Sequence, residues 1–282
     1  MTVLRVVRLT NVPIFEQLVL EEVLYRKMTN VNAVLVATRA AARPTVVCGA
    51  AQHKNLDRLV EMDLVERDAV PVVQRFTGGG TVLLEPRTVV ASLVGNDAAT
   101  VRLGKRLGGQ SIMAWMADRV YAKVFGDSRE PFSLRVQDYC LGERKIGGNA
   151  QALARDRFVH HTSFLYDYDE AEMAKYLRTP EKQPEYRQQR PHADFITRAA
   201  HLFPSPEAMA DAMAEATVDA LLASNADLDV HEMRVDGGRE TDGDNEVWRA
   251  VDALGAWTGQ RTSYLDMADV RRDLAARREA SG

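Results

Sequence analysis

Residues 138–151 read Asp-Tyr-Cys-Leu-Gly-Glu-Arg-Lys-Ile-Gly-Gly-Asn-Ala-Gln, a tight turn that leads into one lysine and two glycines. The residues before the turn, Phe132–Cys140, predict a strand, and Lys145–Ile146 predicts the start of the next one. Most lysines beside a turn are simply solvated. An apolar neighbour and glycine backbone could instead hold Lys145 beside an anionic ligand.

A second stretch, residues 75–82, reads Arg-Phe-Thr-Gly-Gly-Gly-Thr-Val. Three consecutive glycines cost conformational entropy, but they suit a backbone that passes close to a ligand or presents N–H groups to an anion. Arg75 adds a forked cation that suits a carboxylate or a phosphate. A tight hairpin with an incidental arginine explains this stretch equally well. Its spacing matches neither a P-loop nor a dinucleotide-binding fingerprint.

A third stretch, residues 160–165, reads His-His-Thr-Ser-Phe-Leu and lies in a predicted strand, Arg157–Leu165. Successive residues of a strand project to opposite faces, so His160 and His161 cannot share one metal ion without distortion. We expect one histidine to face a site and the other to be structural.

The rest of the chain alternates between short β-branched strands and amphipathic helices. Many short strands among helices favour an α+β fold with a mixed or antiparallel sheet packed by helices. Further strands are predicted at Ala33–Thr38, Thr45–Cys48, Val70–Gln74, Thr81–Leu84 and Thr88–Val94, and helices at Val12–Asn30, Ser111–Phe125, Asp169–Leu177, from Pro206 onward and at Tyr264–Arg278. Glu21 falls on the apolar face of the first helix, which favours a hydrogen-bonded carboxylate at the core margin over a substrate contact.

Composition limits the function classes. Of 282 residues, 46% are apolar and 27% charged, as in a globular protein. The net charge of −4 gives no global support to nucleic-acid binding, and no apolar run approaches the roughly 20 residues of a membrane helix. Two cysteines do not make a disulfide framework. We expect a soluble intracellular protein, cytoplasmic or in the mitochondrial matrix of a eukaryote, without nucleic-acid or membrane partners.

Taken in their order along the chain, the three stretches resemble the lipoate–protein ligases of the biotin/lipoate A/B protein ligase family, and especially its plant and eukaryotic single-domain members. The resemblance spans about residues 4–200, and the lysine stretch is its most specific part. It implies the core shared by class II aminoacyl-tRNA synthetases and biotin ligases, a mixed sheet with helices on one side. We therefore expect a catalytic domain at residues 1–227 and an extension at 228–282 that holds a loop and a helix, without a full accessory domain.

The resemblance also implies an activity. Lipoate or octanoate would react with ATP, assisted by Mg²⁺, to give an acyl-AMP, and the acyl group would pass to a lysine of a carrier. The implied carriers are lipoyl domains of 2-oxoacid dehydrogenase complexes or the glycine cleavage H protein.

The resemblance assigns roles to individual residues. Lys145 would be the catalytic group, placed between the carboxylate and the α-phosphate. Asp138 would orient Mg²⁺, the incoming amine or the nucleotide, and Arg75 would lie at the mouth of the site. Substrate or adenylate would be bound by Arg75, Thr77, Gly78, Gly79, Gly80, Thr81, Asp138, Gly147, Gly148, Asn149 and His161, with Val46 and Val73 beside His161 in an apolar slot for the acyl chain.

Other functions stay open. An octanoyl or lipoyl acyltransferase that uses a cysteine or a lysine would move the acyl group between carrier proteins without ATP. Cys140 lies near the lysine stretch, although a small apolar residue in a strand is the better interpretation of it. A third alternative is a non-catalytic acyl-carrier binding protein. Biotin ligase is less favoured, because its glycine–arginine signature is missing.

Overall fold

The structure, a computed structural model, describes residues 2–28, 31–38, 43–96, 109–181, 183–225, 227–239, 245–253 and 260–281. The strands are β1 (Thr2–Thr10), β2 (Val31–Thr38), β3 (Thr45–Cys48), β4 (Val72–Gln74), β5 (Val82–Leu84), β6 (Thr88–Gly95), β7 (Phe132–Arg135), β8 (Asp138–Leu141), β9 (Arg144–Leu153), β10 (Phe158–Leu165), β11 (Leu228–Asp236) and β12 (Ser263–Tyr264).

The α-helices are α1 (Ile14–Lys27), α2 (Met62–Arg67), α3 (Gly109–Met116, continued by a π-helical turn Ala117–Tyr121 and by Ala122–Val124), α4 (Glu170–Tyr176), α5 (His192–Phe195), α6 (Pro206–Ser224), α7 (Glu246–Ala253) and α8 (Met267–Ser281). Two 3₁₀ segments lie at Gln52–Arg58 and Glu185–Arg187. No helix among the described residues is long and apolar enough to cross a membrane.

The strands that the structure describes form two sheets. The larger has the order β11-β1-β2-β6-β10-β9-β8-β7 and the smaller β12-β4-β3-β5. In the larger sheet β1 runs parallel to β11 and to β2, whereas the pairs from β2 to β7 are antiparallel. The smaller sheet combines one parallel pair, β3 with β4, with antiparallel pairs. The expected α+β class with a mixed sheet is confirmed.

Helices cover both faces of the larger sheet. Val34 and Val36 of β2 belong to a core with residues of α3 and α6, whereas Leu35 and Ala37 belong to a second core with residues of α1 and α7. The expectation of helices on one side is therefore wrong. Because both faces of this sheet are apolar, each needs its own covering layer.

The prediction of a single strand at Phe132–Cys140 is wrong, because these residues form a hairpin of β7 and β8. The turn lies at Val136 and Gln137, and Val136 is 65% exposed with a φ of 58°. A β-branched residue rarely adopts positive φ, so the sequence carried no turn signal here.

The predicted helix Tyr264–Arg278 begins later, at Met267, because the Asp266 carboxylate caps the N–H groups of Ala268 and Asp269. Asn30, the predicted end of the first helix, lies outside the described residues.

The segment after residue 227 extends the larger sheet. Strand β11 pairs with β1 over its whole length, from Leu228 beside Thr2 to Asp236 beside Thr10. A loop and a helix are thus an incomplete description of residues 228–282, because this region also supplies an edge strand. The boundary of the catalytic domain at residue 227 stays a prediction.

A buried carboxylate holds the C-terminal segment to α1. Glu22 is 2% exposed and accepts hydrogen bonds from the backbone N–H groups of Arg261 and Thr262, at 2.9 Å each, and from the Thr262 hydroxyl at 2.8 Å. The Arg26 guanidinium balances its charge at 2.7 Å. Beyond this clamp, Tyr264 of β12 pairs with Val73 of β4.

We expect Glu22→Ala to lower the free energy of unfolding by about 3 kcal/mol, because it leaves buried donors without an acceptor. Chemical denaturation measures this loss. Trypsin should also cleave faster after Arg261, because the segment is no longer held to α1. Glu215→Ala, at an exposed position of α6, is the control. Equal stability of the two variants would contradict the stabilising role of Glu22 in holding the C-terminal segment to α1.

Candidate active site

Three adjacent strands, β8, β9 and β10, bring the lysine stretch and the histidine stretch together. Gly148 lies between Asp138 on one side and Ser163 on the other. The β8–β9 register shifts at Tyr139 and Cys140, where a bulge adds one residue to β9. Because a bulge re-aims the following side chains, Lys145 and Gly148 share a face although they are three residues apart.

Lys145 is a half-buried cation paired with one carboxylate. Its Nζ lies 2.7 Å from Asp138 Oδ1, and the two side chains are 25% and 16% exposed. A Cβ at Gly148 would lie 3.1 Å from this Nζ. The ammonium group therefore occupies the space that a larger residue at position 148 would take, and Lys145 lies close to both Asp138 and Gly148.

The second oxygen of Asp138 accepts a hydrogen bond from the Tyr186 hydroxyl at 2.7 Å. Burial and the negative charge of Asp138 raise the pKa of Tyr186, which keeps the hydroxyl a donor. The Cys140 thiol lies 3.7 Å from the same hydroxyl. Tyr186 was not among the candidate residues that the sequence indicated, because it lies outside the three stretches that carry them.

Arg75 lies behind the triple-glycine loop (Gly78–Gly80). The side chain is 3% exposed, so the expected position at the mouth is wrong. Its Nη2 donates to the carbonyl oxygens of Gly78 at 3.1 Å and Gly80 at 2.8 Å. In a planar trans peptide the next N–H points the opposite way, so the N–H groups of Gly79 and Thr81 point away from the guanidinium. Burial lowers the pKa of Arg75 to about 10, and the group stays charged at neutral pH.

The triple-glycine loop packs directly on β9. A Cβ at Gly79, where φ is 107°, would lie 3.2 Å from the Asn149 carbonyl oxygen, and the Gly78 N–H donates to the Gln151 carbonyl oxygen at 3.0 Å. Gly49 lies beneath the loop, and a side chain there would collide with the Gly79 carbonyl. A glycine directly after a buried strand is a signal of such close approach, which sequence reasoning did not use.

Two threonines, Thr77 and Thr81, flank the triple-glycine loop. Thr77 is 0% exposed, and its carbonyl accepts from the Ala50 N–H at 2.9 Å. Within the described residues, the hydroxyls of Thr77 and Thr81 are buried without a hydrogen-bond partner. Gly80 has open space on its Cβ side, with no atom within 4 Å, so a ligand can approach the loop there.

Gly147 and Asn149 lie on the opposite face from Lys145. A Cβ at Gly147 would meet the Phe164 ring at 2.9 Å, so this glycine serves core packing. The Asn149 amide donates to the Gln137 carbonyl at 2.8 Å and accepts from the Thr162 hydroxyl at 2.6 Å. Both groups of this amide are bonded within the protein, on the face opposite Lys145, and a contact of Asn149 with an adenylate stays a prediction.

The two histidines project to opposite faces, as predicted. His161 Nδ1 lies 2.8 Å from Glu21 Oε2, and the fully buried Glu21 carboxylate also accepts from the Ser92 hydroxyl at 2.7 Å. His160 lies 3.3 Å from the Tyr139 hydroxyl in the other core, where burial lowers its pKa to about 3. His161 thus shares the face of Lys145, with its ring oriented by Glu21.

Val46 and Val73 cannot both line one slot with His161. Both are fully buried, and they lie on opposite faces of the smaller sheet, Val46 in the core beneath α2 and Val73 in the core beneath α1. This part of the expected acyl slot is wrong. The pairing of Val46 with Val72, one residue before Val73, accounts for it.

The surroundings of Lys145 carry further positive charge. Burial lowers the pKa of His192 to about 4, and the charges of Arg187 and Lys145 act in the same direction. The positive charge of Arg187 also acts on Asp138 and Tyr186. The half-buried cation of Lys145, a glycine loop whose Gly79 and Thr81 N–H groups point away from Arg75, and the nearby charge of Arg187 together suit an anionic ligand.

Comparison with known proteins agrees with this chemistry. A family model for the lipoyl protein ligase A/B catalytic domain matches residues 13–222. A curated relative from Plasmodium falciparum (isolate 3D7), named inactive lipoate–protein ligase 2, is 26% identical over 232 residues, which is 65% of this chain and 60% of that protein. The chain thus spans less than two thirds of the length of this relative.

Two solved structures share the fold at low sequence identity. One is an archaeal lipoylation system from Thermoplasma acidophilum, a bipartite lipoate protein ligase and its E2 lipoyl domain (TM-score 0.66, 15% identity, 92% of this chain and 95% of that chain). The other is lipoate–protein ligase A bound with ATP (TM-score 0.62, 16% identity, 89% and 93%). Since the family model covers most of the chain, including the triple-glycine loop and Lys145, the chain belongs to the lipoyl protein ligase A/B catalytic domain family.

Proposed function

We propose that this protein is an ATP-dependent lipoate–protein ligase, which activates lipoate or octanoate as an acyl-AMP and transfers the acyl group to a lysine of a lipoyl carrier domain. The observation that carries the proposal is the half-buried Lys145 ammonium, held by Asp138 on the face that the triple-glycine loop approaches. Membership of the family supports the same activity.

In the first step, a carboxylate oxygen of lipoate attacks the α-phosphorus of ATP. The new bond joins the acyl oxygen to phosphorus, and the bond to the bridging oxygen breaks as pyrophosphate leaves. Two anions must approach each other, and a cation between them offsets their repulsion. Lys145 takes this role, because its ammonium is restrained by one carboxylate and is partly shielded from water.

The triple-glycine loop binds the anionic end of the substrates. Its carbonyl oxygens at Gly78 and Gly80 are bonded to Arg75, so the N–H groups of Gly79 and Thr81 face the approaching ligand. Arg75 thereby acts on the substrates through the loop. His161, on the same face and oriented by Glu21, borders the space for the acyl chain.

In the second step, the lysine amine of the carrier attacks the acyl carbonyl carbon. An amide bond forms, the carbon–oxygen bond to phosphate breaks, and AMP leaves while the amine loses a proton. Lys145 stabilises the negative charge on the carbonyl oxygen and on the departing AMP. Asp138 is placed to orient the incoming amine once Lys145 has turned to these anions.

The residues do not fit a Mg²⁺ site made by the protein alone. Asp138, the expected ligand, is hydrogen-bonded on both oxygens, to Lys145 and to Tyr186. No cluster of three His, Cys, Asp or Glu side chains suited to a metal occurs among the described residues. Mg²⁺ commonly binds such substrates through their phosphates. It remains an expectation from the family, and neither step above uses it.

The carriers are lipoyl domains of 2-oxoacid dehydrogenase complexes or the glycine cleavage H protein. The Thermoplasma acidophilum ligase, which has the same fold, is described together with its E2 lipoyl domain. That pairing supports a lipoyl domain as the partner of this chain.

The second candidate is a non-catalytic binding protein, favoured by the relative that is named inactive. Against it stands the intact pair of Lys145 and Asp138 at 2.7 Å.

A third route, acyl transfer through Cys140, needs an accessible thiolate. Cys140 is 0% exposed, and burial raises the pKa of its thiol, which disfavours the nucleophile. Lysine-dependent transfer without ATP would use Lys145 itself.

We expect Lys145→Ala to lower acyl-adenylate formation at least about a hundred-fold, because the repulsion between carboxylate and phosphate is no longer offset. Lipoate-dependent exchange of labelled pyrophosphate into ATP measures this step. Lys123→Ala, at an exposed position after the π-helical turn, is the matched control and should keep the parent rate. Undiminished exchange in Lys145→Ala would overturn the mechanism, and no exchange in the parent with lipoate or octanoate would favour the binding protein.

We expect Cys140→Ala to keep its ATP-dependent transfer, since the thiol is buried and protonated. Mass spectrometry of a lipoyl domain incubated with the protein, ATP, Mg²⁺ and lipoate measures the product. Octanoyl-carrier protein in place of ATP and lipoate tests the rival route. Transfer that needs no ATP and disappears in Cys140→Ala would establish the thiol mechanism instead.

A further inference from the structure

Tyr186 contacts the Lys145 site from a segment outside the three motifs. It lies on the 3₁₀ turn Glu185–Arg187, and its ring packs against Phe195, with ring centroids 5.4 Å apart. The Arg135 guanidinium lies 5.8 Å from the centroid of the same ring. A packed ring has little freedom, so the hydroxyl is delivered to Asp138 in one orientation.

We propose that Tyr186 is a positioning residue for Lys145, which acts by fixing the Asp138 carboxylate. The proposal rests on the proposed function and deepens it, because it adds a residue to the machinery of the same site. Tyr186 does not contact the reacting atoms and is therefore distinct from Lys145 in role.

The two oxygens of the Asp138 carboxylate have different partners. Oδ2 accepts from the Tyr186 hydroxyl and Oδ1 accepts from Lys145 Nζ, both at 2.7 Å. Two bonds in different directions fix the plane of the carboxylate, so Oδ1 stays aimed at Lys145. The Asp138 side chain is only 16% exposed, and hydrogen bonds to a partly buried charge are stronger than those in water.

Tyr186 also matters when Lys145 moves. During the reaction the ammonium must turn towards the substrate anions, which removes one donor from Asp138. The Tyr186 hydroxyl keeps the second oxygen bonded throughout, so the carboxylate does not have to rotate or to follow the lysine. Arg187, 4% exposed and stacked 4.7 Å from the Phe195 centroid, adds a fixed positive charge to the same turn.

The chain contains a similar arrangement elsewhere, which provides a matched control. Lys175 Nζ lies 2.8 Å from Asp68 Oδ2, and the Tyr176 hydroxyl donates to the same oxygen at 3.0 Å. These residues lie at α4 and after α2, outside the three stretches that carry the candidate site. Tyr176→Phe removes the same hydroxyl chemistry from a lysine–aspartate pair with no part in the proposed site.

The first measurement is the rate of reductive methylation of Lys145 in the intact protein, followed by peptide mass spectrometry, with the exposed Lys123 as internal standard. In Tyr186→Phe, Asp138 loses its second donor and no longer holds the ammonium in place, so methylation of Lys145 should become several-fold faster. Tyr176→Phe should leave the Lys145 rate at the parent value. An unchanged or slower rate in Tyr186→Phe would overturn the proposal.

The second measurement is pyrophosphate exchange. Tyr186→Phe should lower kcat about ten-fold, the effect of one hydrogen bond to a charged group, while the KM values for ATP and lipoate change little. In an Asp138→Ala background the same substitution should have no further effect, because the acceptor is gone. An equal loss of kcat in both backgrounds would assign Tyr186 a structural role and overturn the proposal.

The two measurements separate this inference from the proposed function. A parent protein without exchange activity would overturn the ligase function, while the methylation rate would still test whether Tyr186 positions Lys145. A parent protein with full activity and a Tyr186→Phe variant equal to it in both measurements would leave the ligase function standing and remove Tyr186 from the site.

Discussion

A buried cation organises the candidate site. A guanidinium removed from water needs substitute dipoles, and the carbonyl oxygens of the triple-glycine loop supply them for Arg75. That requirement decides which way the peptide groups of the loop point, and so which N–H groups are available to a ligand. The arginine that looked like a direct anion ligand therefore lies behind the triple-glycine loop and bonds to its carbonyl oxygens.

The second constraint is close packing of backbone on backbone. The lack of a side chain at Gly79 leaves room for the Arg75 guanidinium and for β9, and its lack at Gly49 leaves room for the Gly79 carbonyl. Lys145 can fold over β9 because Gly148 has no side chain. A bulge in β9 then turns Lys145 to the same face as Gly148. Each of these glycines leaves room for a different neighbour, whereas Gly147 leaves room for the Phe164 ring in the core on the opposite face.

The site also depends on segments far away in sequence. Asp138 holds Lys145, but it is itself held by Tyr186, and the ring of His161 is oriented by Glu21 from α1. Two buried carboxylates of α1 thus have separate tasks, since Glu22 binds the C-terminal segment. Helix α1 consequently links the site, the larger sheet and the end of the chain.

Local sequence determined much of this protein. Short runs rich in β-branched and apolar residues identified β3, β6 and β10, and the order of the three stretches identified the family, because strand composition, strand period and motifs are all carried by consecutive residues. The opposite faces of His160 and His161 followed from the same period. The hairpin at Val136 was missed, since a β-branched residue at positive φ leaves no local signal.

Only the tertiary structure decided which side chains meet. It placed Arg75 behind the loop, turned Asn149 away from Lys145, put Val46 and Val73 on opposite faces, and brought Tyr186 to Asp138. The physical reason is that burial, strand register and bulges depend on residues distant in the chain. A motif specifies the chemical groups, whereas the packing of separate segments specifies their direction and their partners.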